Sequence, residues 1–146
     1  MEDKVIITGG ALSLGLVASD KATVYNDNGF VEDLPSLNIG RWGHACGHYI
    51  TDTTDGNKVD LNYFFINPLS NDKVVYIVTG GEGGLSSAFG EKPGDRTETF
   101  VEGSNSWTLE STKLPSPSEQ KLRWLSMLSM DNRVFISGNF YFSVYV

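Results

Sequence analysis

Apolar residues along the chain come in short runs of four to seven, each stopped by Gly, Pro, Asn or Asp, and no helical period is sustained over a window long enough to show one. The strongest run is Lys73-Val74-Val75-Tyr76-Ile77-Val78-Thr79, closed by Gly80-Gly81. It is β-branched and aromatic, as a buried strand requires, and its end turns where side chains do not fit. The phrase opens the chain as Lys4-Val5-Ile6-Ile7-Thr8-Gly9-Gly10 and returns, altered, as Arg133-Val134-Phe135-Ile136-Ser137-Gly138-Asn139. Three copies make a repeat architecture the first hypothesis.

The stretches between copies follow one order. After Gly10, Ala11 to Asp20 reads as a partly covered loop or one turn of helix. Ala22-Thr23-Val24-Tyr25 and Phe30-Val31-Glu32-Asp33 then form a hairpin about Asn28-Gly29. Leu34-Pro35 ends it, because proline cannot donate to a ladder, and Arg41 to Ile50 forms the next extended run. In the second round, Glu82 to Asp95 is a glycine-rich loop, and Thr97 to Val101 and Ser106 to Glu110 are strands around Gly103-Ser104-Asn105. Leu114-Pro115 crosses over, and Leu122 to Leu128 is extended. Phe140 to Val146 completes about ten strands. Gly81 lies 71 residues after Gly10, Pro115 lies 80 after Pro35, and Arg123 lies 82 after Arg41, with Trp42 and Trp124 following the arginines. Slowly growing offsets describe one unit with loops of unequal length.

This order resembles the Kelch repeat of β-propellers. Gly9, Gly10, Tyr25, Leu34, Pro35, Arg41 and His44 match in the first round, and Gly80, Gly81, Phe100, Trp107, Leu114, Pro115 and Arg123 in the second. Phe30 stands where the family usually has Trp, Asn139 replaces a glycine, and the 71-residue interval exceeds the usual repeat of about 50. The surplus falls in an insertion at 51–72. The resemblance implies an all-β fold of antiparallel four-stranded blades, with blade elements at 4–40, 41–114 and 122–146. Each blade buries both faces against its neighbours. About two and a half blades would not close a ring of about four to eight, so the expectation is a piece of a longer protein or, second, a protomer of a multi-chain assembly. Open blade faces then favour self-association.

Composition narrows the partners. Eleven Lys and Arg against eighteen Asp and Glu give a net charge of −7, with the basic residues scattered. Such a surface repels nucleic acid and anionic membrane. The single cysteine, Cys46, forms no internal disulfide and fits a reducing compartment. No signal-peptide pattern or membrane-length apolar run occurs, so the expected location is the cytoplasm.

His44, Cys46 and His48 alternate, which puts three potential zinc or copper ligands on one strand face; a packed Kelch-type blade accounts for the same residues without metal. Thr8 to Gly15 nearly matches a dinucleotide-binding loop, yet Ser13 replaces the middle glycine and no Tyr-x-x-x-Lys pair occurs. Glu82, Glu91, Asp95 and Glu98 read as solvated loop charges, leaving no catalytic set and no cofactor. An oxidase-like or carbohydrate-acting propeller enzyme remains the alternative. The resemblance implies binding of a protein or peptide by loops on one rim, at 11–21, 35–40, 82–96 and 115–121. Arg41, Arg96 and Arg123 stand at the loop edges, where they would grip carboxylates, unless Arg41 and Arg123 tie blades together. Tyr63, Phe64 and Phe65 in the insertion are candidate anchors on the opposite rim, or extend the following hairpin.

Overall fold

A computed structural model describes residues 4–13, 17–51, 73–84, 93–114, 124–130, 133–138 and 142–145. These residues contain no helix, and every strand pairing among them is antiparallel. The first sheet joins β1 (Lys4–Thr8), β4 (Ala22–Asn26) and β5 (Gly29–Leu34) in that order. A two-stranded ladder of β2 (Ala11–Leu12) and β3 (Val17–Ala18) projects from its end. The second sheet is a meander of β6 (Ala45–Thr51), β7 (Lys73–Thr79), β8 (Arg96–Val101) and β9 (Thr108–Lys113). A third holds β10 (Ser126–Met130), β11 (Arg133–Ser137) and β12 (Phe142–Tyr145).

The stretch after Gly10 is thus a strand pair, rather than a covered loop or helical turn. Two-residue ladders are too short for alternation to reveal, which is why twelve strands are found among the described residues where the pattern suggests about ten for the chain.

The second sheet lies between the other two. Register places Val78 beside Cys46 and Glu98, and Tyr76 beside His48 and Phe100, so these residues share one face. That face meets the first sheet in a cluster of Ala22, Leu37, Val78, Phe100 and Trp107, with Leu34 and Tyr76 at its margin. Phe100 stacks between Tyr76 and Trp107, at 6.3 Å and 5.3 Å, and Trp107 Nε1 donates to the Pro35 carbonyl at 2.8 Å. The opposite face presents Tyr49 and Ile77 to a cluster of Leu114, Val134 and Ile136, joined by Leu125 and Met127. Close approach there depends on Gly47, where a Cβ would stand 2.6 Å from Met127 Sδ.

β1 and β7 end alike. Gly9 and Gly80 have φ of 63° and 69°, and Gly10 and Gly81 of 122° and 93°, conformations open to glycine at little cost. Gly9 N–H donates to the Lys21 carbonyl, as Gly80 N–H does to that of Arg96.

Candidate functional site

Between the first and second sheets, residues 37–44 run past both diglycines. Gly10 N–H donates to the Arg41 carbonyl at 2.8 Å, and Arg41 N–H to the Ser19 carbonyl at 3.0 Å. Trp42 and Glu82 exchange two backbone hydrogen bonds of 2.9 Å. There is no room for a side chain along this path: a Cβ on Gly9 would lie 2.3 Å from the Arg41 carbonyl oxygen, and one on Gly81 2.8 Å from that of Trp42.

A buried polar network fixes the segment. Arg41 and Glu98 are both 0% exposed and pair at 2.6 Å through Arg41 Nη2 and Glu98 Oε1. The remaining Glu98 lone pairs accept from the Asn38 N–H (2.6 Å), Asn38 Nδ2 (2.9 Å) and the Ile39 N–H (3.2 Å). Arg41 also donates to the carbonyls of Ile39, Gly80 and Arg96. Burial pulls the Arg41 pKa below its ordinary value, while the Glu98 charge and hydrogen bond pull it back. Each charge is matched and hydrogen-bonded, the condition under which a buried pair is tolerated.

Glu98 is therefore not a solvated loop charge. It stands on β8 two residues from Phe100, on the same inward face, and strand alternation overrides its polarity. Asp95 does sit at the surface, 3.2 Å from Lys113. Of the three arginines singled out from the sequence, Arg41 is enclosed between sheets. Arg96 is half-buried beside it and lends its carbonyl to the network. Arg123, the loop at 115–121, Glu91 and the insertion with Tyr63, Phe64 and Phe65 lie outside the described residues. Tyr25 is on the outer face of the first sheet, edge-on to Phe30 at 6.1 Å. Phe100 and Trp107 are core.

Cys46 and His48 lie on the side of β6 that faces the first sheet, and His44, just before β6, also meets that sheet. His44 Nε2 is 2.8 Å from Thr8 Oγ1, and Cys46 and His48 line a cleft of about 160 Å³ between the sheets. Among the described residues no group of three or more His, Cys, Asp or Glu could hold a metal. Burial, reinforced by the Arg41 charge, lowers the His44 pKa to about 4. A hydroxyl beside an imidazole has the outline of a nucleophile and base. Here no carboxylate orients Nδ1, which is buried without a hydrogen-bond partner, and Thr8 is itself buried. The contact is an interior tie between β1 and the passing segment.

The near-match to a dinucleotide loop has a different geometry. Gly10 leads straight into β2, and β1 pairs antiparallel with β4, whereas dinucleotide binding needs a helix N-terminus behind a parallel strand.

At the end of the sheets where the diglycines lie, one exposed side chain stands out. Trp124 is 59% exposed, and its backbone takes φ of 56°, a strained choice for a bulky residue. Its N–H donates to the Gly43 carbonyl at 2.8 Å, and its ring meets Trp42 edge-on at 5.7 Å. The sequence pairs these tryptophans by their place after Arg41 and Arg123; that they touch follows only from stacking of the sheets.

Comparison of the chain with models of protein families and with curated proteins yields no match. No helix among the described residues is long and apolar enough to cross a membrane.

Proposed function

We propose that the chain is a non-catalytic interaction module, built from Kelch-type propeller blades, that binds a protein or peptide at the end of the sheets where the diglycines lie. Stacking of successive antiparallel sheets, the first passed to the second through the pinned segment 37–44, supports the blade reading. The observation that carries the binding reading is Trp124, an aromatic held out of the core by a strained backbone and braced by Trp42. Tryptophans braced in this way are frequent anchors of protein interfaces. Arg41 contributes indirectly, by fixing the segment that carries Trp42.

The test is capture of cell proteins on the immobilised chain, followed by affinity measurement for the recovered partner. Trp124→Ala should weaken binding at least tenfold while leaving the urea midpoint within error of wild type. Equal affinity for the two proteins would remove Trp124, and with it this reading.

A further inference from the structure

The second and third sheets do not close on each other along their whole contact. Beside the cluster of Leu114, Val134 and Ile136 a cavity of about 230 Å³ remains between them, and its walls differ in chemistry. One wall is apolar, made by Ile77, Leu114, Val134 and Ile136. The other is polar. Thr97 pairs with Thr79 and Thr99 with Ile77 across the β7–β8 ladder, so both threonines share the face that carries Ile77, and Glu110 joins them from β9.

Glu110 is the unbalanced group. It is half-buried, and Thr99 Oγ1 donates to its Oε1, yet among the described residues no cation pairs with it. Lys113 at the same wall is 3.2 Å from Asp95 with its side chain 55% exposed, which directs its charge to the solvent side. The Thr97 hydroxyl is also engaged, 2.7 Å from that of Thr79. Tyr49, which lines the cavity too, keeps its phenolic proton, since burial and then the Glu110 charge push its pKa up. A partly desolvated carboxylate with one hydroxyl donor is short of both hydrogen bonds and positive charge. A hydrogen bond from a cation would supply both, at roughly twice the strength of a neutral one.

We propose that this cavity binds a small organic amine, with its ammonium on Glu110 and its apolar body against Ile77, Val134 and Ile136. At about 30 Å³ for each water, the space matches about eight waters, or an organic molecule of about eight to ten non-hydrogen atoms. A divalent metal ion is a poor match, because one carboxylate and neutral hydroxyls fall short of the oxygen ligands it takes and the facing wall offers none. Such a ligand combines an apolar body with one precisely placed polar group, as small-molecule sites require. The cavity lies between the sheets and stands apart from what binds near Trp124, so either reading fails without the other.

Titration of benzylamine into methyl-labelled protein, followed by nuclear magnetic resonance at neutral pH, tests it. Salt at about 0.15 M screens non-specific attraction of the amine to a chain of net charge −7. Saturable shifts of the Val134 and Ile136 methyls are expected, with Overhauser cross-peaks from the benzyl ring to them and a dissociation constant of about 1 mM or below. Benzyl alcohol, of the same shape without the charge, should bind at least tenfold more weakly. Glu110→Gln, which can still accept from Thr99, should bring benzylamine down to the affinity of the alcohol. Equal binding of amine and alcohol by the wild type overturns the proposal, as does undiminished amine binding by Glu110→Gln. Shifts scattered over the surface without cross-peaks to Val134 or Ile136 overturn it as well. Should Glu110→Gln fail to fold, the comparison of the two ligands on the wild type still decides.

Discussion

Replacing Glu98 by glutamine tests whether the buried network holds the first two sheets together. The two side chains have nearly the same shape, so packing is preserved and the change is electrostatic. In the wild type Oε1 accepts from Ile39 N–H and Arg41 Nη2, and Oε2 accepts from Asn38 N–H and Nδ2. Either orientation of a glutamine amide turns its NH₂ toward two donors, and the Arg41 charge loses its counterion at a site closed to water. Breaking a buried pair by removing one partner costs about 3–5 kcal/mol, against about 5–15 kcal/mol for a whole domain. The urea midpoint of Glu98→Gln should fall accordingly, measured at neutral pH with the m-value monitored. The double variant Arg41→Met, Glu98→Met should not recover the loss. It strands the Ile39 N–H and the Gly80 carbonyl, at about 1–3 kcal/mol for each buried group. A Glu98→Gln protein within about 1 kcal/mol of wild type, at unchanged m-value, would mean that the pair does not hold the two sheets together.

Further predictions concern the ties around the same segment. His44 titrates near 4 in the folded chain against 6.5 ordinarily, so the unfolded chain binds more protons between those values. Stability should be full above about pH 6.5 and fall by roughly 3 kcal/mol as pH drops toward 4; His44→Gln should flatten that slope in urea titrations. Gly9→Ala, which meets the Arg41 carbonyl as well as an unfavourable φ, should destabilise by about 2 kcal/mol or more. Gly29→Ala, strained in φ with nothing near its Cβ, should cost about 1 kcal/mol. Trp107→Phe removes the hydrogen bond to the Pro35 carbonyl and leaves a void against Leu37, so a loss of about 2–3 kcal/mol in thermal or urea unfolding is expected.

The strands were legible in the sequence where local chemistry sets them. Asn28-Gly29 forces the β4–β5 hairpin, and the run at Lys73 becomes β7 because β-branched residues on both faces suit a sheet covered on both sides. The extended run from Arg41 was legible only in part: β6 begins at Ala45, because residues 41–43 bond to stretches from three different sheets rather than to one neighbouring strand. The chemistry of the junction was harder to see. Glu98 looks like any acid beside a polar loop until alternation with Phe100 is applied. Its partners lie 57 to 60 residues away in Arg41, Ile39 and Asn38, a separation that no local pattern spans. Trp124 carries no signal of exposure in its own stretch, since its setting depends on Gly43 and Trp42 arriving from the other sheet.

Fold and proposed site both depend on the second sheet being packed on both faces. Nuclear Overhauser spectroscopy on methyl- and aromatic-labelled protein tests this directly. Cross-peaks are expected from Phe100 and Trp107 to Ala22 and Leu37 on one side, and from Ile77 and Tyr49 to Val134 and Ile136 on the other. Intact β6–β9 pairing with either set missing would contradict it.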